Sequence, residues 1–225
     1  MPRGRYARTS HSGISSETCN VTGISPLVCI IDDESTVRTL TSQIVSAAGF
    51  RVSAFGSAEE FFRSVDPTEA DCVVTDLRMP GVDGKQLFHR LHAADKQLSV
   101  VFLTGYADIR TAVRLMQDGA LTLLEKPYDV IELTDTVGQA VRRTRQLRGR
   151  SAAAAEARRR LAQLDSDERD VLECIMTGLP NKAIVARLQI SPRTLDRRKQ
   201  SIFQKLGVES VSELARLVTL VEGSE

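Results

Sequence analysis

A strand end and the loop after it can be predicted from the segment Val73-Val74-Thr75-Asp76-Leu77-Arg78-Met79-Pro80-Gly81-Val82-Asp83-Gly84. It opens as a β-branched run, which is typical of a buried strand. The run ends abruptly on Asp76, and Pro80 and Gly81 then favour a loop. The pattern therefore predicts that Asp76 lies at the C-terminal end of a buried strand.

Three other apolar runs also end on polar groups. They are Leu27 to Ile31 before Asp32-Asp33, Val100 to Leu103 before Thr104-Gly105, and Leu121 to Leu124 before Glu125-Lys126-Pro127. Open α/β sheets hold their ligands at the carboxyl ends of parallel strands, so these groups are predicted to share one acidic pocket. Carboxylates a few Å apart repel by roughly 4 kcal/mol per pair at an effective dielectric near 20. The pocket therefore calls for a cation of the magnesium type, and Lys126 opposite it would attract a phosphoryl group.

The first part of the chain alternates strands with amphipathic helices. Strands are predicted near residues 27–31, 51–55, 72–75, 99–103 and 121–124. This rhythm predicts an α/β domain with a five-stranded, parallel, doubly wound sheet at residues 26–145. Residues 1–25 lack a sustained period and are predicted to form a flexible tail. Arg3, Arg5 and Arg8 either reach nucleic acid or belong to a solvated tail.

Charge divides the chain more sharply than its net value of +1 suggests. Lysines and arginines minus acids give −7 for residues 26–141 and +7 for residues 142–164. Residues 146–160 are rich in Ala and Arg, which predicts a basic, semi-rigid helical linker that breaks near Gly149. Its positive charge faces DNA phosphate, the acidic domain or solvent.

Residues 161–225 carry the pattern of a small all-α domain. Asp165 and Glu168 predict a capping box, and Ser191-Pro192 predicts the start of a later helix. Two helices joined by so short a link form a helix-turn-helix, and the second is expected in a DNA groove. Its buried face is predicted to hold Leu195, Ile202 and Leu206, opposite an exposed face of Arg193, Arg197, Gln200 and Gln204.

Arginine and glutamine suit base edges, so the exposed face is predicted to read DNA. Thr194, Arg198, Lys199 and the earlier Lys182 lie toward the flanks and are predicted to meet phosphate. Asp196 either accepts from cytosine or orders Arg193 or Lys199.

The acidic-pocket motifs resemble those of the receiver domain of bacterial two-component response regulators. The resemblance implies that Asp76 accepts a phosphoryl group from a kinase phosphohistidine and that Lys126-Pro127 is cis. It also implies that Thr104 and Lys126 bind the phosphoryl oxygens. The implied metal ligands are Asp33, Asp76 and the Arg78 carbonyl directly, with Asp32 acting largely through water. The receiver would catalyse only its own phosphorylation and dephosphorylation, so the chain is not expected to be an enzyme otherwise.

The family usually has an aromatic residue three positions before the lysine, where this chain has Leu123. Either Leu123 still takes part in the switch, or the switch is weakened.

Residues 161–220 resemble the LuxR-type helix-turn-helix domain through the runs Gly178 to Ile184, Ile190 to Leu195 and Lys205 to Val208. Pro180 replaces the usual polar cap, Ala183 the usual acid, and Arg198-Lys199 the usual His-Arg pair. DNA binding remains the expectation despite these three departures. The DNA sequence that the domain prefers does not follow from the family pattern.

The whole chain is most similar to the FixJ-like subgroup, which implies a phosphorylation-switched transcription factor. The implied partners are a sensor histidine kinase, double-stranded DNA and a second copy of the chain on phosphorylation, with RNA polymerase left open. Ile109, Arg110, Val113, Arg114 and Leu123, with residues after Asp129, would form the dimer surface. Two alternatives stand beside this interpretation: a phosphoryl sink, and a DNA-binding regulator independent of phosphorylation. The implied metal is Mg²⁺, with Mn²⁺ left open as an alternative.

The chain shows neither a membrane span nor a secretory signal, and its cysteines lack metal-binding spacing. A cytoplasmic location without membrane contact is therefore expected. Cys29, Cys72 and Cys174 lie in apolar stretches and are predicted to be core residues.

Overall fold

The computed structural model describes residues 25–105 and 122–223. Five parallel strands form one sheet in the order β2-β1-β3-β4-β5. The strands are β1 (Leu27–Ile31), β2 (Arg51–Phe55), β3 (Cys72–Asp76), β4 (Val100–Thr104) and β5 (Thr122–Glu125). The predicted parallel α/β sheet is confirmed, and each strand lies within one residue of its predicted bounds.

The described helices of this part are α1 (Ser35–Ala47), α2 (Ala58–Ser64), α3 (Gly84–Ala94) and the long α4 (Val130–Leu161), with a short 3-10 helix at Pro67–Glu69. The predicted segments at residues 1–24 and 106–121 lie outside the described residues, and with them Tyr106 and the dimer-surface residues Ile109, Arg110, Val113 and Arg114.

Alternate residues of the central strands face two separate cores. Cys29, Val73 and Phe102 pack on one side of the sheet with α2 and α3. Ile30 and Val74 pack on the other side, with α1 and the first half of α4. Because both faces are covered, β1 and most of β3 and β4 are apolar, as expected for a parallel sheet. Cys29, Cys72 and Cys174 are buried free thiols, which confirms their prediction as core residues. Burial raises the pKa of Cys29 to about 12.

The chain divides into two compact units between Thr144 and Arg145, within α4. The second unit contains the end of α4 and the helices α5 (Ser166–Met176), α6 (Asn181–Leu188), α7 (Pro192–Leu206) and α8 (Val211–Glu222). They enclose one core that includes Val171, Ile184, Leu195 and Leu214. No described helix is long and apolar enough to cross a membrane.

The prediction of a helix break near Gly149 is wrong. Helix α4 runs without interruption from Val130 to Leu161. Glycine costs roughly 0.5–1 kcal/mol relative to alanine inside a helix. The alanines and arginines on both sides are strong helix formers and offset that cost.

Candidate functional site

The strand register places the predicted pocket residues along one edge of the sheet. Ile31 lies beside Thr75, so Asp32 and Asp76 each occupy the next position at the ends of adjacent strands. Thr104 is the last residue of β4 and pairs with Glu125 at the end of β5. Lys126 follows directly. The structure thus brings together the groups that the sequence analysis assigned to one pocket.

Lys126 joins two carboxylates from different strands. Its Nζ lies 2.9 Å from Asp32 Oδ2 and 3.1 Å from Asp76 Oδ1. Burial lowers the pKa of Lys126, but hydrogen bonds and charge from Asp32 and Asp76 outweigh it, and the net pKa is raised. The ammonium therefore stays protonated and faces both acids. Asp32 is 1% exposed and the Asp76 side chain 14%, so Asp76 is the acid that a reagent reaches.

Backbone groups fix the orientation of both acids. The Arg78 amide donates to Asp76 Oδ2 at 3.2 Å, and the Glu34 amide donates to Asp32 Oδ1 at 2.9 Å. Thr104 is buried, and its carbonyl accepts from the Lys126 amide at 2.7 Å. The Lys126–Pro127 bond is cis, as the resemblance implied.

Asp33 differs from its partner in the acidic pair. Its side chain is exposed, and within residues 25–105 and 122–223 it forms no ion pair. In the same ranges, no three His, Cys, Asp or Glu side chains gather closely enough to hold a metal by themselves. Mg²⁺ is usually held by one or two carboxylates with water and phosphate oxygens rather than by an all-protein cage. Asp32 and Asp76, two carboxylates that meet at Lys126, therefore fit the donor set that Mg²⁺ uses.

The second unit contains the predicted helix-turn-helix. Helix α6 ends at Leu188 and is followed by Gln189, whose φ of 53° is left-handed. Ser191 caps α7 by accepting from the Thr194 amide at 3.1 Å. Pro180 precedes α6 and provides no side-chain cap. The turn therefore spans the three residues between Leu188 and Pro192.

The two faces of α7 agree with the predicted pattern. Leu195, Ile202 and Leu206 are buried, which confirms the core face. The side chains predicted to face a DNA groove are exposed: Arg193, Arg197, Gln200 and Gln204. Lys182 and Asp196 are also exposed.

The flanks of α7 are tied to neighbouring helices. Arg198 forms an ion pair with Asp167 of α5. Lys199 donates to Asn181 Oδ1 of α6 at 3.2 Å. Asp196, for which a pairing with Arg193 or Lys199 was an alternative, forms no ion pair among the described residues. Two of the predicted phosphate ligands, Arg198 and Lys199, are therefore tied to neighbouring helices.

Glu168 does more than complete the predicted capping box, because it also binds two side chains of α7. The predicted capping box is confirmed, since Asp165 and Glu168 each accept from the other's amide. Glu168, 4% exposed, also accepts from Ser201 Oγ at 2.6 Å and from Lys205 Nζ at 2.7 Å. Burial favours a raised pKa, but the bonds from Lys205, Ser201 and the Asp165 amide outweigh it and lower the pKa of Glu168 to about 2.

Comparison with known families gives two matches that together cover both units. Residues 28–138 match the family described as response regulator receiver domain, and residues 162–218 match bacterial regulatory proteins of the luxR family. The transcriptional regulatory protein FixJ of Bradyrhizobium diazoefficiens is 35% identical over 190 residues, which cover 84% of this chain and 93% of that protein. The FixJ of Rhizobium meliloti is 32% identical with the same coverage.

The chain belongs to the two-component response regulators. It is a response regulator that controls transcription, built from a receiver domain and a LuxR-type DNA-binding domain. Solved structures agree with this assignment. The response regulator StyR is 32% identical, has a TM-score of 0.77, and the match covers 87% of this chain and 99% of StyR. Full-length FixJ from B. japonicum is 33% identical with a TM-score of 0.54, covering 89% and 98%.

This response regulator family implies a sensor histidine kinase upstream and DNA downstream, and its receiver domains generally bind Mg²⁺ at the phosphorylation site. The acidic pocket and the exposed face of α7 are the places in this response regulator that suit those partners.

Two further contacts support the pocket and were not found from the sequence. Arg38 of α1 donates to the Asp32 carbonyl at 2.6 Å and to the Asp33 carbonyl at 3.4 Å. The Tyr128 hydroxyl lies 2.6 Å from Thr41 Oγ1, which links the segment after Lys126 to α1. The spacing from Asp33 to Arg38 is a local signal that could have been used. Thr41 and Tyr128 are 87 residues apart, and no local pattern joins them.

Proposed function

We propose that Asp76 of this response regulator is the phosphoryl acceptor. Asp76 Oδ1 would attack the phosphorus of a kinase phosphohistidine, the phosphorus–nitrogen bond would break, and imidazole would leave as an acyl phosphate forms. The observation that carries this proposal is the convergence of Lys126 Nζ on Asp76 and on the buried Asp32. It provides a fixed positive charge beside an accessible carboxylate.

Lys126 and Thr104 would then bind the phosphoryl oxygens. Phosphoryl transfer asks little covalent chemistry of a protein and depends on position and charge. Lys126 is held by two acids, and Thr104 stands at the end of the neighbouring strand. The new phosphoryl group would add roughly two negative charges beside Thr104, whose hydroxyl would sense them.

Asp32, Asp33, Asp76 and the Arg78 carbonyl would hold Mg²⁺ or Mn²⁺. When bound, the cation supplies charge neutralisation for the transferring oxygens. Asp76 lies next to Lys126 in the pocket, and Asp33 has its carboxylate in solvent, where it can turn toward a cation. The receiver would catalyse only its own phosphorylation and dephosphorylation.

The exposed face of α7 would read DNA in the major groove. Arg193, Arg197 and Gln200 are exposed there, and their side chains suit guanine and adenine edges. Lys182, Thr194, Arg198 and Lys199 would approach phosphate, and Asp196 would accept from cytosine.

Phosphorylation would pair two copies of the chain. Val130 and Ile131, at the start of α4, are 53% and 66% exposed, so their apolar side chains are available for contact with a second copy. They follow Asp129 and so belong to the proposed dimer surface. Pairing doubles the number of recognition helices. Once one helix of the dimer has bound its half-site, the other is held close to the second half-site, which raises the affinity for the whole operator. Contact with RNA polymerase would follow at an activated promoter.

The test compares purified protein with Mg²⁺, with and without a small acyl phosphate donor, beside Asp76→Ala. The mass of the protein in solution and its affinity for a mixed-sequence DNA library are measured. A donor-dependent shift to dimer with tighter DNA binding, lost in Asp76→Ala, is expected. Equal DNA binding in all samples would indicate phosphorylation-independent regulation. Phosphoryl turnover without DNA binding would indicate a phosphoryl sink.

A further inference from the structure

Two adjacent acids of α5 hold the recognition helix α7 in different ways. Glu168 is buried, and its carboxylate binds both Ser201 and Lys205. Asp167 pairs with Arg198 at the surface, where the Asp167 side chain is 59% exposed and that of Arg198 is 20%. The first contact is part of the fold. The second can open without unpacking the core.

Asp167 is not needed to cap its helix. The Asp165 carboxylate accepts from the Glu168 amide, and the Glu168 carboxylate accepts from the Asp165 amide. A carboxylate in the first helical turn is favourable in any case, because it faces the positive end of the helix dipole. The one specific contact of the Asp167 side chain among the described residues is the Arg198 guanidinium.

Arg198 is a cation on the DNA-facing helix that already has an anionic partner. It lies next to Arg197, which is exposed on the proposed groove face. A carboxylate and a phosphate offer the same kind of acceptor to a guanidinium. Arg198 can therefore exchange one anion for the other by a rotation of its side chain.

We propose that Asp167 is an internal competitor for DNA phosphate, which withholds Arg198 and so limits the affinity of the recognition helix for DNA. The proposal rests on the proposed placement of α7 in a DNA groove. An exposed ion pair is weak, and a phosphate contact gains from released counterions, so DNA can displace Asp167 at some cost in affinity. Asp167 is a positioning residue in this scheme. It does not touch DNA.

The competitor has a clear signature in the salt dependence of binding. Each phosphate contact adds about 0.9 to the slope of log affinity against log salt concentration. In Asp167→Asn, Arg198 is free to contact phosphate throughout. Binding is expected to be about 2- to 5-fold tighter at 0.1 M salt, the range of an exposed ion pair. The salt slope is expected to steepen by up to about one.

The experiment uses the full chain and a mixed-sequence duplex of about 30 base pairs as probe, with affinity measured across salt concentrations. Asp170→Asn is the matched control, because Asp170 is an exposed acid of the same helix and forms no ion pair among the described residues. It removes the same charge. Circular dichroism checks that each variant keeps its helix content.

The double variant decides the mechanism. In an Arg198→Gln background, Asp167→Asn is expected to change affinity no more than Asp170→Asn does. The proposal is overturned if Asp167→Asn weakens binding, which would mean that Asp167 orients Arg198 for DNA. It is also overturned if the gain persists without Arg198, which would mean simple repulsion of DNA by Asp167. Loss of DNA binding by every protein, wild type included, would reject the DNA-reading face itself, and this proposal with it.

Discussion

The buried carboxylates of Asp32 and Glu168 are each bound by a lysine, but their surroundings differ. Asp32 is bound by Lys126, which it shares with the more accessible Asp76. Glu168 is bound by Lys205, Ser201 and a backbone amide. A buried charge persists only when it is paired and hydrogen-bonded. Glu168 is closed to solvent within its network, whereas the Asp32–Lys126–Asp76 group keeps one acid open to a reagent.

We expect Glu168→Gln to destabilise the DNA-binding unit by about 1.5–3 kcal/mol at pH 7, the range for hydrogen bonds to charged groups. The folded pKa of Glu168, about 2, lies below its ordinary value of 4.5. Its contribution is therefore present above pH 4.5 and is lost as the pH falls toward 2. The stability gap between wild type and variant should shrink over that window in thermal unfolding followed by circular dichroism.

Glu173→Gln provides the comparison for this prediction. Glu173 lies on the same helix in an exposed pair with Arg187 at 3.4 Å, a type of pair that contributes little. It should leave stability nearly unchanged at every pH. If the stability difference between wild type and Glu168→Gln did not depend on pH, the stabilising role assigned to the Glu168 charge would be contradicted.

Leu123 occupies the position at which the resemblance to receiver domains predicts an aromatic residue. It is half-buried and packs against the core formed with α2 and α3. We expect Leu123→Tyr to change phosphorylation-dependent dimerisation more than it changes the rate of phosphoryl uptake, because the pocket groups lie on other residues. Uptake from an acyl phosphate and mass in solution measure the two effects. Leu123→Met, which conserves volume, should alter neither. Equal effects on both would reject the prediction.

At the scale of single elements, two glycines show opposite requirements. Gly84 begins α3 directly beneath the Asp76 loop, and its amide donates to the Leu77 carbonyl at 3.1 Å. A Cβ at Gly84 would overlap the Asp76 carbonyl oxygen and lie 2.9 Å from Leu77 Cα. Gly149 lies within α4 with no atom within 4 Å of such a Cβ. The first is needed for close backbone approach, and the second is not.

We expect Gly84→Ala to destabilise the receiver by about 1–3 kcal/mol, as overpacking does, and to slow phosphoryl uptake by displacing Asp76. Gly149→Ala is the matched control and should stabilise α4 by about 0.5–1 kcal/mol with no effect on uptake. Chemical denaturation and acyl phosphate uptake measure the two properties. Unchanged uptake in Gly84→Ala would show that the loop tolerates the shift.

At the scale of the whole molecule, the charge is segregated along the chain. The receiver segment, residues 26–141, has a net charge of −7, and residues 142–164 have +7. An acidic receiver suits a site that takes up a metal cation, and a basic segment is attractive to nucleic acid. Pairing two such chains would bring two recognition helices to one DNA.

The exposed apolar residues after Asp129 test that pairing. We expect Ile131→Glu to lower phosphorylation-dependent dimerisation at least 10-fold while phosphoryl uptake is unchanged. At a symmetric interface the new carboxylates of the two copies would lie close together and repel each other. Leu40→Glu is the matched control, since Leu40 of α1 is 52% exposed and lies outside the proposed surface. Sedimentation after phosphorylation measures the effect. Undiminished dimerisation in Ile131→Glu would place the interface elsewhere.

Local patterns in the sequence were enough to predict the strands, the acids at the strand ends and the two faces of α7. Each of these depends on local chemistry, such as an apolar run that ends on Asp76 or the helical spacing of Leu195, Ile202 and Leu206. A period of two or 3.6 residues is visible along the chain, and so is a charged residue at a strand end.

The tertiary structure alone decided which distant side chains meet. Lys205 binds Glu168 across 37 residues, Arg198 binds Asp167 across 31, and Tyr128 meets Thr41 across 87. Such contacts arise only when packing brings remote segments together, because no local period records a partner in a different element.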